Sequence, residues 1–256
     1  MQEHQKWPDI LWIVRHGESA GNVARDRAEA AQSLRIDIAQ RDIDVPLSEL
    51  GERQARALGT WLAELPAAAR PTVIYTSPYL RARTTAELAL AASAIPTETI
   101  TMLTDERLRE REFGVLDGLT RYGIEKNYPE QAAIRSAIGK FYHRPPGGES
   151  WCDVILRLRS IIDTITRDYR GERVMIVCHQ VIVLCFRYLL ERMSEEEILA
   201  IDRAQEVANC SITSYQFDPA IGKHGKLALR LFNFVAPLEE TGTPVTTEPD
   251  RPAGPK

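Results

Sequence analysis

The chain has 256 residues, of which 44% are hydrophobic and 27% charged, and its formal net charge at pH 7 is −4. This composition is that of an ordinary globular protein with enough apolar side chains for a sizeable core. The acidic balance argues against a broad nucleic-acid-binding surface, because such a surface needs an excess of Lys and Arg.

Cysteine usage and hydropathy indicate the cellular setting. The four cysteines form no CxxC pair, and a chain of this length does not need disulfide bonds for its stability. The longest apolar stretch, residues 174–190, is interrupted by His179, Gln180 and Arg187, which disfavours a membrane span. We therefore expect a reduced, cytoplasmic protein that binds neither nucleic acid nor a membrane.

Six apolar runs have the length and residue content of strands. In chain order they are residues 10–14, 72–76, 99–103, 173–178, 211–217 and 227–235. Helical spacing of apolar residues predicts helices between them. The predicted helices are one that follows Ser48 and those at residues 77–91, 149–169 and 181–192. Ser48 and Ser77 are the expected N-caps of the first two helices.

Alternating strands and helices predict an α/β fold, a three-layer α/β/α sandwich with a mainly parallel sheet. We expect a single domain over residues 1–238, in which the less regular residues 104–148 form a cap over the site. Residues 239–256 are rich in Pro, Thr and Gly and are predicted to be a flexible tail.

Polar residues follow three of the predicted strands at the point where each strand ends. Arg15 and His16 follow the first strand, Arg81 the second and His179 the fourth. Ligands of parallel α/β sheets bind beyond the carboxyl ends of the strands. These side chains suit phosphoryl transfer without a metal ion, because neutral imidazole is a nucleophile and arginine binds phosphate oxygens with two parallel hydrogen bonds.

Four blocks of the sequence resemble the signature of the histidine phosphatase superfamily, also called the phosphoglycerate mutase-like family. The blocks are LWIVRHGESAGN at 11–22, SPYLRARTTA at 77–86, LREREFG at 108–114 and VCHQ at 177–180. Residues 46–51 and 147–150 also match. The order and spacing of the blocks make the resemblance far more specific than a lone Arg-His-Gly.

The resemblance implies a phosphatase that hydrolyses a small phosphate monoester in two steps, without a metal or an organic cofactor. His16 is the implied nucleophile, and Glu110 is the implied acid that protonates the leaving alcohol. Glu112 is the rival acid if the register of this block is shifted. The implied ligands of the transferred phosphoryl group are Arg15, Asn22, Arg81 and His179.

The sequence also indicates a branch of the family. Only 68 residues separate Glu110 from His179, which favours the phosphatase branches over cofactor-dependent mutases. Residues 140–151 and 174–180 resemble the fructose-2,6-bisphosphatase branch, and this resemblance makes candidate substrate contacts of Lys140, Trp151 and Gln180. That branch has a substrate arginine where this chain has Leu184, and His143 and Arg144 are candidates for the replacement charge.

Several alternatives stay open at this point. A phosphoglycerate mutase uses the same residues but returns the phosphoryl group to the substrate, and a non-catalytic binding protein of this fold is the third possibility. The polar stretch 23–41 is predicted to be either a lid or a partner surface. A homodimer is an open alternative to a monomer.

Overall fold

The computed structural model describes residues 5–247. Over this range the strands form one mixed sheet of six, in the order β3-β2-β4-β1-β5-β6. The strands are β1 (Ile10–Arg15), β2 (Val73–Thr76), β3 (Thr101–Thr104), β4 (Arg173–Cys178), β5 (Ile212–Asp218) and β6 (Lys226–Phe234). The first four strands in this order are parallel to one another, whereas β5 is antiparallel to β1 and to β6.

Within residues 5–247 the chain also forms nine α-helices. They are α1 (Ala20–Ala30), α2 (Glu49–Glu64), α3 (Leu80–Ser93), α4 (Arg121–Asn127), α5 (Pro129–Tyr142), α6 (Trp151–Asp168), α7 (Gln180–Glu191), α8 (Glu195–Ala204) and α9 (Ala236–Glu240). None of the helices in this part of the chain is long and apolar enough to cross a membrane.

Helices cover both faces of the sheet. Side chains alternate between the two faces along a strand, so β1 contributes apolar residues to a cluster on each face. On β1, Trp12 and Val14 pack with residues of α2 and α3. Leu11 and Ile13 belong to a second cluster on the opposite face, together with residues of α6 and α7. The predicted three-layer α/β/α sandwich with a mainly parallel sheet is confirmed.

The two predicted helix caps have different outcomes. The Ser48 side chain accepts a hydrogen bond from the backbone N–H of Gly51 and caps α2 as predicted. The prediction for Ser77 is wrong, because α3 begins at Leu80 after Tyr79 and has no side-chain cap. Ser77 instead lies at the site described below.

The region 104–148 contains α4 and α5 and is therefore more regular than its glycines and prolines suggested. The stretch 23–41 begins inside α1 and then crosses to this region. There the backbone N–H of Ile36 donates to the Gly118 carbonyl, and the N–H of Thr120 donates to the Leu34 carbonyl. Main-chain hydrogen bonds thus join the stretch 23–41 to the region 104–148.

The first part of the predicted flexible tail is bound to the body of the protein. Leu238 is buried in α9. The Gln54 amide donates to the Pro244 carbonyl (3.0 Å) and to the Thr246 hydroxyl (2.9 Å). Within the described residues 239–247, the start of the predicted tail thus lies in α9 and the following segment is hydrogen-bonded to Gln54. The rest of the predicted tail, 248–256, lies outside the described residues.

Candidate active site

The ends of three parallel strands bring the predicted site residues together. His16 follows β1 and His179 follows β4, the strand next to β1 in the sheet. Their imidazole rings meet edge to face with centroids 5.1 Å apart. Arg81 lies in the first turn of α3, beyond the end of β2, and its Nε is 3.3 Å from Nε2 of His16. All three side chains are buried.

Hydrogen bonds define the tautomer of His16. Its Nδ1 is 2.7 Å from the Gly17 carbonyl oxygen, which is only an acceptor, so the proton is on Nδ1. Nε2 accepts from the guanidinium of Arg81 and therefore carries the lone pair. A neutral imidazole with its lone pair on Nε2, beside a cation, is the form that attacks phosphorus.

The loop that carries His16 packs closely against the start of α2. A Cβ added to Gly51 would lie 1.9 Å from the Glu18 carbonyl oxygen, so no larger residue fits there. The Ser48 hydroxyl donates to the Glu18 carboxylate, and the Glu18 carbonyl accepts from the Ser48 N–H (2.9 Å). Residues 46–51 therefore hold the loop that carries His16 in place.

A second loop, far along the chain, holds the same backbone from the other side. The Asn209 amide donates to the His16 carbonyl (3.1 Å), and the Cys210 N–H donates to the Arg15 carbonyl (3.1 Å). The guanidinium of Arg15 is buried and donates to the Val207 carbonyl (2.6 Å). Sequence reasoning did not identify Val207 or Asn209, because no local pattern links them to a histidine almost 200 residues earlier.

His179 is oriented by residues that precede α3. Its Nε2 is 2.7 Å from the Ser77 hydroxyl, and the Tyr79 ring meets its imidazole edge to face at 5.1 Å. Burial raises the pKa of Tyr79 well above its ordinary value, and the charges of Asp42 and Glu112 act in the same direction. Ser77 and Tyr79 lie inside a quoted sequence block, but only the structure shows that they contact His179.

A carboxylate already occupies the fork of Arg81. Nη1 donates to Oδ1 of Asp42 (2.9 Å) and to its backbone carbonyl (2.7 Å), while Nη2 lies 3.3 Å from Oδ2. Asp42 directly follows the stretch 23–41, and its side chain is 41% exposed. Two parallel hydrogen bonds to a carboxylate are the geometry with which arginine also binds a phosphate group.

Asn22 forms the capping box of α1. Its Oδ1 accepts from the backbone N–H (2.9 Å) and the hydroxyl (2.8 Å) of Ser19. Because the oxygen is used in this way, the amide of Asn22 has a fixed orientation, with Nδ2 as the donor of the side chain. A donor is what a phosphoryl oxygen requires.

The two candidate acids lie in different environments. Glu110 is buried, and its Oε1 accepts from the backbone N–H of Arg111 (2.7 Å). The side chain of Glu112 is 47% exposed and accepts a hydrogen bond from the Tyr79 hydroxyl (3.2 Å). Of the two candidate acids, Glu110 is thus the one enclosed by the protein, whereas Glu112 lies at the surface.

A buried ion pair supports the backbone around Glu110. Arg157 donates to the Glu110 carbonyl (3.2 Å) and to the carboxylate of Glu149 (3.0 and 3.1 Å). Burial raises the pKa of Glu149, but its hydrogen bonds and its ion pair with Arg157 outweigh this, so the net pKa is lowered. Glu149 therefore stays ionised and holds the acid loop against α6.

Comparison with known proteins identifies the family. The model of the histidine phosphatase superfamily (branch 1) matches residues 11–227. The chain belongs to this superfamily. The predicted family is thus confirmed, and so is the prediction of a phosphatase-type enzyme that works through a phosphohistidine.

Two relatives show how this histidine phosphatase compares with characterised proteins. It is 30% identical to 2,3-bisphosphoglycerate-dependent phosphoglycerate mutase 2 of Gloeobacter violaceus, over 75% of this chain and 80% of the mutase. It is 31% identical to fructose-2,6-bisphosphatase of Saccharomyces cerevisiae, over 74% of this chain but only 36% of that protein. The chain thus corresponds to about a third of the yeast relative.

Solved structures agree in fold. Bacillus stearothermophilus YhfR superposes with a TM-score of 0.69 at 27% identity, covering 90% of this chain and 98% of that chain. A mycobacterial glucosyl-3-phosphoglycerate phosphatase has a TM-score of 0.66 at 24% identity, covering 88% of this chain and 99% of that chain. At that identity the second comparison concerns the fold alone.

The three candidate substrate contacts are held by other side chains of the phosphatase. Lys140 forms an ion pair with Asp202 (2.5 Å), and the Gln180 amide donates to Glu206 (2.5 Å). Trp151 is fully buried in the core cluster of α6 and α7, under the ammonium group of Lys140. The three residues stay predictions as substrate contacts, and the Trp151 ring packs in the core.

The two candidates for the replacement charge lie in different environments. Burial lowers the pKa of His143 to about 4, and the charges of Arg135 and Arg111 act in the same direction. His143 is therefore neutral at pH 7. Arg144 lies at the surface in an ion pair with Asp153. A role of these residues in substrate binding stays a prediction, and Leu184 itself is buried in the core.

The neutral state of His143 predicts a pH-dependent stability. Its ordinary pKa of about 6.5 applies to the unfolded chain, so between pH 6.5 and 4 the unfolded chain binds a proton that the folded one does not. Stability is therefore lost as the pH falls through this range, by about 3 kcal/mol from His143 alone. In urea unfolding at pH 7 and pH 4, His143→Gln should lose correspondingly less stability than wild type. His224→Gln, at an exposed histidine, should lose as much as wild type; equal losses in all three proteins would contradict the expectation.

Proposed function

We propose that His16, Arg81 and their neighbours hydrolyse a small phosphate monoester in two steps. The orientation of His16 carries the proposal, since its Nε2 lone pair lies beside the guanidinium of Arg81. In the first step Nε2 attacks phosphorus, a P–N bond forms and the P–O bond to the alcohol breaks. Glu110 gives its proton to the leaving alkoxide.

The second step releases phosphate. The carboxylate that Glu110 has become takes a proton from water, the water oxygen attacks phosphorus and the P–N bond breaks. His16 and Glu110 return to their starting states. In both steps, cations and hydrogen-bond donors around His16 stabilise the negative charge of the transferred phosphoryl group. In this proposal these groups belong to Arg15, Asn22, Arg81 and His179.

Hydrolysis is favoured over phosphoryl return by the short interval between Glu110 and His179. The substrate class remains that of small phosphate esters. The yeast relative acts on a fructose bisphosphate according to its name. In this chain Leu184 takes the place of the substrate arginine of that branch and His143 is neutral, which favours a substrate with one phosphate. We therefore propose a monophosphate ester as the substrate.

Product analysis tests this function. The wild-type protein should release phosphate from para-nitrophenyl phosphate with excess EDTA present, as expected for a reaction without a metal ion. With 3-phosphoglycerate and a catalytic amount of 2,3-bisphosphoglycerate it should form no 2-phosphoglycerate. Rapid interconversion of the two phosphoglycerates would instead establish a mutase, and loss of hydrolysis in EDTA would contradict the metal-independent route.

Asp42 predicts a second measurable property of the site. Its carboxylate occupies the fork of Arg81, so a phosphoryl group has to displace it. Asp42→Asn should lower the inhibition constant of inorganic phosphate by about fivefold, the effect of removing one half-exposed charged competitor. Asp44→Asn is the matched control, because Asp44 pairs with Arg41 at the surface. Weaker phosphate inhibition in Asp42→Asn would show that Asp42 orients Arg81 rather than competing for it.

A further inference from the structure

A cavity of about 540 Å³ lies at the end of β1 that is opposite to His16. Its walls come from the segment before β1, from α6, from the end of α7 and from the turn between β5 and β6. Six of the lining residues are basic: Lys6, Arg159, Arg192, Lys223, His224 and Lys226. None of the lining residues is an Asp or a Glu.

The cavity is separate from the candidate active site. β1 starts three residues after Trp7, which lines the cavity, and ends before His16. α7 runs from His179 towards Arg192 at the cavity. A helix of this length spans about 18 Å at 1.5 Å per residue. The two sites are thus at opposite ends of the same strand and the same helix.

The lysines and arginines of the cavity form no ion pair with a carboxylate of the described residues. No ion pair of residues 5–247 involves Lys6, Arg159, Arg192, Lys223 or Lys226. The neighbouring Arg157 and Arg187 each pair with a glutamate. Like charges around one cavity repel each other and raise the local concentration of anions. This basic cluster is local, because the net charge of the whole chain is −4.

Aromatic and apolar side chains line the same cavity. Trp7 and Tyr188 are half-buried there, beside Met193 and Leu227. Aromatic faces stack with the flat rings of bases, and lysine and arginine bind phosphate oxygens. A volume of this size lies in the range of small-molecule sites. We propose that the cavity is a second ligand site, which binds a nucleoside polyphosphate with its phosphates on the basic side chains and its base against the aromatic ones.

Calorimetric titration with the non-hydrolysable ATP analogue adenylyl imidodiphosphate, without Mg²⁺ and at low salt, tests the proposal. We expect one saturable site, with affinity that falls as salt is added. Lys223→Gln/Lys226→Gln should weaken binding by about tenfold or more, because the changes remove two cations, one in the exposed turn before β6 and one at the first residue of β6, and neither belongs to the hydrophobic core. Lys126→Gln, at a lysine away from the cavity, is the matched control and should bind like wild type.

Further titrations show which of the two sites binds the analogue. They also separate the contribution of its base to the affinity from that of its phosphates. Arg81→Ala should leave the binding of the analogue unchanged; binding that is lost in Arg81→Ala but kept in the lysine double variant would assign the ligand to the active site and overturn the proposal. Inorganic triphosphate should bind at the cavity more weakly than the analogue. Equal affinity of the two would overturn the nucleoside part, and no saturable binding to wild type would overturn the site.

Discussion

Replacement of His16 by alanine is expected to lower kcat for para-nitrophenyl phosphate by about 10⁴-fold or more, because the covalent route has no other nucleophile in place. His179 does not replace it, since its Nε2 is bound to Ser77. Steady-state hydrolysis at saturating substrate measures the effect.

The matched control for His16→Ala is the binding of inorganic phosphate to the same variant. The variant keeps Arg15, Arg81 and His179, so it should still bind phosphate. Because a ligand that binds only the folded state stabilises it, phosphate should raise the thermal unfolding temperature of the variant. A kcat within about tenfold of wild type would show that His16 is not the nucleophile.

Replacement of Glu110 by glutamine is expected to have an effect that depends on the leaving group. For an alkyl phosphate such as glycerol 2-phosphate, kcat/KM should fall by about 10² to 10⁴-fold, the usual contribution of a general acid. For para-nitrophenyl phosphate the loss should be much smaller, because para-nitrophenolate leaves without protonation. Parallel assays with the two substrates measure the difference.

Glu112→Gln is the matched control for Glu110→Gln, since Glu112 lies in the same sequence block and is the rival acid. Its carboxylate is half-exposed and accepts from the Tyr79 hydroxyl. We expect its kcat/KM to stay within about tenfold of wild type on both substrates. A leaving-group-dependent loss in Glu112→Gln, with Glu110→Gln unaffected, would reverse the assignment of the two residues.

The parts of the site that follow parallel strands could be predicted from the sequence. The strand at 173–178 has the predicted limits, and His16 and His179 come together because β1 and β4 are neighbours whose carboxyl ends meet. Such positions are set by local apolar runs and by the general rule for ligand sites in parallel sheets. The resemblance of the blocks then added the roles of individual residues.

The contacts that complete the site could not be predicted in this way. Asp42 reaches Arg81 from a segment without regular periodicity, and Asn209 reaches the His16 carbonyl from the far end of the chain. Ser77 looked like a helix cap because serine before proline is a common start signal. Only the three-dimensional structure shows that α3 begins three residues later and that this hydroxyl contacts His179.

The burial of individual side chains is the other property that the sequence did not reveal. The resemblance to the fructose-2,6-bisphosphatase branch made Trp151 a candidate substrate contact, and the missing arginine at Leu184 made His143 a candidate for the replacement charge. In the folded chain His143 is enclosed between Arg111 and Arg135, and Trp151 packs in the core of the α6 layer. Burial depends on which elements cover a residue, and these are elements from distant parts of the chain.

Trapping the phosphoenzyme is the most direct test of the phosphohistidine reaction. The wild-type protein is mixed with para-nitrophenyl phosphate, quenched in alkali within the first turnovers and digested, and the peptides are analysed by mass spectrometry. We predict a phosphoryl group on Nε2 of His16, stable in alkali and lost in acid, and absent from His16→Ala. Turnover without any covalent intermediate, or a phosphoryl group on another residue, would contradict the mechanism.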